Sequence, residues 1–177
     1  MVMLLGGYKL NGRGKTMSSF THIDDQGHVR MVDVTDKKPT VRVAVAEGSV
    51  FMKPETFELI RDQKVKKGNV LETARIAGIM AAKKTSDLIP MCHPLHLTHV
   101  QVDFDPDETH HRIGIQAAVR TIDQTGVEME ALTAVSVAAL TLYDMCKSYD
   151  REMRISEMQL IEKSGGKSGT YKKQKNG

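Results

Sequence analysis

The sequence has no tryptophan, and aromatic residues make up only 5% of its 177 positions. Proteins that bind single-stranded nucleic acid stack bases on aromatic side chains, and this chain supplies few of them. The formal charge is only +3, from 25 Lys and Arg against 22 Asp and Glu, and part of the excess lies in the terminal segments. So small an excess is weak evidence for binding to a phosphate backbone. We therefore predict no nucleic-acid partner.

Cysteines are also scarce. The 2 cysteines, Cys92 and Cys146, form no Cys-x-x-Cys motif, which excludes a disulfide framework and favours a reducing compartment. No uninterrupted apolar run approaches the roughly 20 residues of a membrane-spanning helix, and the apolar start at residues 1–5 is too short for a secretory signal. We expect a cytoplasmic protein that does not contact a membrane.

Length and composition predict one globular domain with tails, because 40% of the residues are hydrophobic and 27% are charged. Residues 1–16 contain four glycines, and we expect a flexible or artificially added extension before a natural start at Met17. Residues 17–38 are polar and predict an N-terminal arm with at most a short strand at 31–34. The domain itself is predicted at 39–163. A Gly/Ser/Lys-rich loop and a basic tail follow at 164–177.

The hydrophobic pattern predicts four strands and three helical stretches. Alternation predicts strands at about 40–52, 97–104, 112–120 and 152–162, the middle two forming a hairpin. A helix is predicted from Pro54 to about 63, and the next begins at Asn69, which has the form of an N-cap, and ends near Lys83 or Lys84. A third helical stretch covers 125–147. The order β, α in two pieces, β, β, α, β predicts an α+β fold of the ferredoxin-like, split βαβ type, with helices on one face of an antiparallel sheet.

The stretch 125–147 carries charge only near its ends. Glu128 and Glu130 stand at its start, Asp144 and Lys147 one turn apart at its end, and the residues between them include no ionisable group. A helix that is apolar almost all round is predicted to be buried. The acids could merely complement the helix dipole, and the Asp/Lys pair could be a surface ion pair. If the ends are partly buried, the pair instead becomes a candidate for proton transfer.

Cys92 and His93 lie on a stretch stiffened by prolines at positions 90 and 94. Zinc is disfavoured, because a structural site needs four convergent ligands. A Cys–His nucleophile is also disfavoured, because neighbouring side chains on an extended chain point to opposite faces. The interpretation that remains is a hydrogen-bonding or acid/base role for His93, with Cys92 as a small apolar neighbour.

Several basic residues allow two interpretations. The loop at 164–169 is not a Walker motif, because the earlier glycine and the following helix are missing; it either closes over an anion or is a disordered tail junction. The lysines at 64, 66 and 67 are either a solvated charge run or an anion site beside a helix start. Arg42 and Lys163 carry the same ambiguity.

Six motifs together resemble one protein family. They are MVDV at 31–34, KGNV at 67–70 with ARIAG at 74–78, LIPMCHPL at 88–95, TGVEMEAL at 125–132, YDMCK at 143–147 and KSGGKSG at 163–169. In this order they are similar to the cyclic pyranopterin monophosphate synthase family, also called molybdenum cofactor biosynthesis protein C. The departures are small: Met91 stands where the family has leucine, and Asn69 where it has aspartate.

The resemblance implies a phosphorus–oxygen lyase that converts (8S)-3′,8-cyclo-7,8-dihydroguanosine 5′-triphosphate to cyclic pyranopterin monophosphate and releases pyrophosphate. It implies Asp144 and Lys147 as catalytic residues. The substrate-binding residues that it implies are Lys67, Met91, Cys92, His93, Glu128, Met129, Glu130, Lys163 and Lys167. It implies no redox cofactor and no protein-bound metal, and leaves open whether Mg²⁺ accompanies the triphosphate. It also implies a homohexamer, a trimer of dimers with each site at a dimer interface.

The length of the predicted helix at 125–147 supports the expectation of a site at a dimer interface. The 14 or so residues from Glu130 to Asp144, at roughly 1.5 Å each, put the two ends about 20 Å apart. One helix therefore cannot supply both ends to one site, and a site shared between two subunits is predicted. Two rival classes are a nucleotide-binding module without chemistry, which does not explain the Asp144/Lys147 pair, and a nucleic-acid binder, whose aromatic RNP pattern is missing.

Overall fold

The computed structural model describes residues 26–174. These contain five strands and four helices: β1 (Thr40–Phe51), α1 (Pro54–Arg61), α2 (Val70–Ala82), α3 (Thr85–Leu88), β2 (Leu97–Asp107), β3 (Arg112–Asp123), α4 (Glu128–Cys146), β4 (Arg154–Ser164) and β5 (Tyr171–Lys172). The chain divides after Val32, and from Asp33 onward it forms one compact unit.

The strands form a single sheet in the order β2-β3-β1-β4-β5, and each neighbouring pair is antiparallel. The first four positions have the strand order of a split βαβ fold, so the predicted α+β, ferredoxin-like fold class is confirmed. The sequence did not predict α3 or β5. Each is too short, at 4 and 2 residues, to show a hydrophobic period.

Local sequence signals place the helix starts. The Asn69 side chain accepts a hydrogen bond from the backbone N–H of Glu72 at 3.1 Å, which confirms the predicted N-cap of α2. Pro54 opens α1, where its missing N–H costs nothing. Residues 31–34 form no strand; the turn after them is instead held by Asp33, which accepts hydrogen bonds from the backbone N–H and the hydroxyl of Thr35.

The core lies between the sheet and the helices α2 and α4. Small buried residues let the layers approach closely, among them Ala44, Ala46, Ala134 and Ala138, all 0% exposed. A Cβ added at Gly78 in α2 would lie 2.9 Å from the carbonyl oxygen of Ala134 in α4. The two helices therefore pack almost backbone to backbone, which fixes α4, and both of its charged ends, against the sheet.

The prediction that α4 is buried all round is only half right. Its inner face is buried, but Leu140 is 57% exposed and Met129 is 36% exposed. A single chain has one sheet and one neighbouring helix to cover α4, so the outer stripe stays open. At 19 residues α4 is long and apolar enough to cross a membrane by length and composition, yet more than half of its apolar stretch is buried in the domain, as expected of a core helix.

The predicted extension at 1–16 and the start of the arm lie outside the described residues, as does the end of the basic tail after position 174. Within the described part of the tail, β5 pairs with β4 at Lys163 opposite Tyr171. The segment after the Gly/Ser loop is therefore anchored to the sheet.

Candidate active site

Three charged side chains meet at the C-terminal end of α4, and we call them the exit cluster: Lys67, Asp144 and Lys147. The Lys147 ammonium lies 2.7 Å from one Asp144 carboxylate oxygen. Lys67 donates to the Asp144 backbone carbonyl at 2.8 Å and lies 3.9 Å from the other carboxylate oxygen. Of the three lysines at 64, 66 and 67, the structure thus places Lys67 in the cluster, whereas Lys64 forms a separate pair with Asp62.

The pairing determines the charge state of the exit cluster. The hydrogen bond from Lys147, together with the charges of Lys147 and Lys67, lowers the pKa of Asp144. The same hydrogen bond and the Asp144 charge raise the pKa of Lys147. At neutral pH the carboxylate is therefore ionised and the ammonium is protonated. Lys147 therefore stays positively charged, and the ion pair with Asp144 keeps it in place.

A second charged group lies at the opposite end of α4. Glu128, in the first turn of the helix, pairs with Lys163 of β4 at 3.3 Å. Lys163 also donates to the Ser168 hydroxyl at 2.7 Å. A Cβ at Gly126 would lie 1.9 Å from a Glu128 carboxylate oxygen, so a larger residue there would displace the Glu128 side chain from this position.

These residues border a cavity of about 760 Å³, within the range of small-molecule sites. Glu128, Lys163 and Lys167 line it, which brings together three of the predicted substrate-binding residues. Arg42 lines it as well, and sequence reasoning had left the role of Arg42 open. Its guanidinium donates to the backbone carbonyls of Asp123 at 3.2 Å and Gln124 at 3.0 Å. The only sequence signal for Arg42 was a charge among the alternating valines at the start of β1.

Burial, and to a smaller extent the Glu130 charge, raises the pKa of the Cys92 thiol. A raised pKa keeps the thiol protonated, so Cys92 is a poor nucleophile, in line with the apolar role inferred from the sequence. Met91 and His93 flank it and are also partly buried. His93 contributes to lowering the pKa of Asp33, after the hydrogen bonds from Thr35.

Glu130 is 4% exposed. Burial, with a smaller contribution from the Glu128 charge, raises the pKa of Glu130 to about 7. Above pH 7 the folded chain must hold a buried charge, whereas the unfolded chain ionises this group already near its ordinary pKa. The contribution of Glu130 to the free energy of unfolding is therefore expected to fall between about pH 5 and pH 8, by on the order of 2 to 3 kcal/mol at about 1.4 kcal/mol per pKa unit.

Urea unfolding of the wild type and of Glu130→Gln at pH 5, 6, 7 and 8 measures this contribution. The loss with rising pH should be smaller in Glu130→Gln by that amount. Glu55→Gln, at an exposed acid in the first turn of α1, should retain the wild-type dependence. Parallel curves for the wild type and Glu130→Gln would contradict the assignment.

A further cavity, of about 770 Å³, lies on the open face of the sheet. Its lining includes five acidic residues, Glu47, Asp103, Asp105, Asp107 and Glu157, with Arg112 as its one arginine. None of the predicted site residues lines it, and its negative charge would repel a triphosphate. No group of His, Cys, Asp and Glu side chains among residues 26–174 is arranged to hold a metal ion.

The predicted site residues thus fall into two groups on one chain. Lys67, Asp144 and Lys147 lie at the C-terminal end of α4, and the group with Glu128, Glu130 and Lys163 lies at its N-terminal end. From Glu130 to Asp144 the helix rises about 20 Å. A single chain therefore carries the predicted site residues as two separate groups, one at each end of α4, which we call half-sites.

Comparison with known proteins yields one family. Residues 31–166 match the MoaC family. The chain is 65% identical over 155 residues to a cyclic pyranopterin monophosphate synthase of Desulforapulum autotrophicum, covering 88% of this chain and 95% of that protein. Relatives with the same name from Desulfatibacillum aliphaticivorans and Pelotomaculum thermopropionicum are 63% and 60% identical, over 88% and 89% of this chain and 98% and 92% of theirs.

Proposed function

Because the chain belongs to the MoaC family, we propose that its two half-sites together convert 3′,8-cyclo-7,8-dihydroguanosine 5′-triphosphate to cyclic pyranopterin monophosphate and release pyrophosphate. This is the lyase step of molybdenum cofactor biosynthesis. The observation that carries the proposal is the Asp144–Lys147 pair at 2.7 Å. The two side chains are 63% and 53% exposed in the single chain, so the partial burial expected for a proton-transfer pair is not met within one chain, and in this proposal the partner subunit supplies it.

The phosphate step requires groups that stabilise negative charge and groups that accept and donate protons. A substrate hydroxyl oxygen forms a bond to the α-phosphorus, and the bond from that phosphorus to the bridging oxygen breaks. Pyrophosphate leaves with the electron pair, and the hydroxyl proton passes to a base. The purine rearrangement that accompanies this step also moves protons between ring atoms. Lys147 in the exit cluster suits the role of acid, and later of base, while Asp144 orients it.

The half-site at the N-terminal end of α4 suits binding of the substrate's ring. Glu128 and Glu130 can accept hydrogen bonds from the N–H groups of a guanine-derived ring, and Glu130, with a pKa of about 7, can also donate when protonated. Met91, Cys92, His93 and Met129 provide the remaining wall in this proposal. In this proposal Lys163 and Lys167 of this half-site, and Lys67 of the partner's exit cluster, contact phosphate oxygens. Any Mg²⁺ is proposed to arrive with the triphosphate and not from a resident protein site.

The assembly follows from the position of the half-sites. We propose a homohexamer, a trimer of dimers, in which the exit cluster of one subunit faces the Glu128 end of its partner. The exposed stripe of α4 with Leu140 supports this arrangement, because two antiparallel copies would cover each other's apolar surface and bring opposite helix ends together. A cytoplasmic location is part of the same proposal, since the substrate is a nucleotide derivative.

The test is pyrophosphate release by the purified chain supplied with the authentic cyclic dihydroguanosine triphosphate. We expect stoichiometric release of pyrophosphate and formation of the cyclic monophosphate, detected by a coupled phosphate assay and by mass spectrometry. Guanosine triphosphate, which lacks the 3′,8 bond, serves as the control substrate and should not react. Binding of the intermediate without any product would favour the rival reading as a nucleotide-binding module.

A further inference from the structure

Lys67 contacts the exit cluster through the tip of its side chain. Its ammonium donates to the Asp144 backbone carbonyl at 2.8 Å, and the side chain is 46% exposed. When this ammonium moves to a phosphate oxygen, as the proposed function requires, the hydrogen bond to α4 is given up. The position of the Lys67 backbone then depends on other contacts, because a lysine side chain is a flexible stem.

The backbone of Lys67 lies in a tight turn between α1 and α2. The Gly68 N–H donates to the Val65 carbonyl at 3.0 Å and closes the turn. Gly68 has a φ of +103°, which glycine adopts without strain. The Val65 side chain is 5% exposed and belongs to the core. One end of the turn is therefore fixed by packing, while Lys66 and Lys67 lie exposed at its outer end.

Tyr149 holds this outer end from the segment that follows α4. Its hydroxyl oxygen accepts a hydrogen bond from the Lys66 backbone N–H at 3.1 Å, across 83 positions of sequence. Lys66 directly precedes Lys67, and the bond does not involve the Lys67 side chain. The backbone beside Lys67 therefore stays attached to the end of α4 when the Lys67 ammonium changes its partner.

Tyr149 is itself firmly placed. The backbone N–H groups of Tyr149 and Asp150 both donate to the Cys146 carbonyl, at 2.8 and 3.1 Å, and continue the last turn of α4. The Asp150 side chain is 2% exposed, and it accepts from the backbone N–H groups of Lys53 and Glu152 at 2.8 and 2.9 Å. The segment after α4 is thus tied to the start of α1, and the Tyr149 ring is presented from a fixed backbone.

We propose that Tyr149 is a positioning residue, which holds the Lys66–Lys67 backbone so that Lys67 is preorganised for the phosphates of the substrate. The proposal rests on the proposed function for the role of Lys67. Tyr149 acts through the backbone of the turn and not by contact with the reacting atoms. Preorganisation reduces the ordering that binding requires. The effect of the hydroxyl is therefore expected in substrate affinity and not in the proton-transfer step.

Tyr149→Phe tests the role, because it keeps the ring and removes only the hydroxyl. With the cyclic dihydroguanosine triphosphate we expect KM to rise about two- to tenfold, the range of one net hydrogen bond. The kcat and the thermal unfolding midpoint should stay close to those of the wild type. The dissociation constant, measured by titration calorimetry in the Lys147→Ala background to suppress turnover, should rise by the same factor. Tyr171→Phe removes a hydroxyl from a tyrosine in β5 that is 44% exposed, and should match the wild type.

A double-mutant cycle with Lys67→Ala shows whether the effect passes through Lys67. Without the ammonium, Tyr149→Phe should raise neither KM nor the dissociation constant any further. The same factor in both backgrounds overturns the positioning role. Wild-type turnover with an unchanged KM in Tyr149→Phe refutes this role but leaves the proposed function. Binding that Tyr149→Phe weakens only when Lys67 is present, without any turnover by the wild type, refutes the proposed function but leaves the positioning role.

Discussion

Lys147→Ala is expected to reduce pyrophosphate release by at least about a hundredfold, since a positioned general acid or base contributes about 10² to 10⁴ to a proton-transfer step. The fold should survive, because the Lys147 side chain is 53% exposed and its ion-pair partner is the equally accessible Asp144. Steady-state release of pyrophosphate is measured with saturating cyclic dihydroguanosine triphosphate. Far-ultraviolet circular dichroism on the same samples separates a loss of activity from a loss of fold.

Lys64→Ala is the matched control for this prediction. Lys64 is also an exposed lysine, paired with Asp62 at 3.0 Å, so its removal changes the net charge by the same amount without touching the exit cluster. It should keep nearly full activity. Activity in Lys147→Ala close to that of the wild type, or an equal loss in both variants, would refute the assignment of Lys147.

Mixing two inactive variants tests whether the site is shared. Lys147→Ala damages one end of α4 and Glu128→Gln the other. If each site joins one end from each subunit, a mixed dimer holds one intact site and one doubly damaged site. Random reassociation should therefore restore about one quarter of wild-type activity. A mixture that stays as inactive as its parents would show that each chain builds its own site.

Leu142→Ala is expected to have the largest effect on stability. Leu142 is 0% exposed and lies in α4 within the central cluster. Removal of its buried methyl groups should lower the free energy of unfolding by about 2 to 5 kcal/mol, because the surrounding layers cannot collapse fully into the cavity. Urea unfolding followed by circular dichroism measures this loss.

Leu140→Ala is the same substitution two residues earlier, on the open stripe of the same helix, where the side chain is 57% exposed. For a single chain it should change the unfolding free energy by only about 0.5 kcal/mol. If the stripe is covered by a second subunit, Leu140→Ala should instead weaken assembly, and its apparent stability should depend on protein concentration. An effect as large as that of Leu142→Ala and independent of concentration would contradict the observed burial.

Sequence reasoning succeeded where the signal is local. Alternating valines marked β1, Asn69 marked the start of α2, and the uncharged interior of α4 marked a core helix, because each depends on residues within a turn or two of one another. The order of these elements then sufficed for the fold class. Counting residues along α4 also separated Glu130 from Asp144, since helical rise is nearly constant.

The contacts that give the charged residues their roles were decided by tertiary structure. Lys67 reaches the Asp144 carbonyl across 77 positions of sequence, and Arg42 reaches the Gln124 carbonyl across 82. Sequence alone left both residues between a solvated charge and a binding group. No local sequence pattern encodes these long-range contacts, because they depend on strand register and on how closely α2 and α4 pack. The sequence by itself determined the four long strands, the main helices and the family they belong to, and only packing decided which charges share a cavity and which face of α4 stays open.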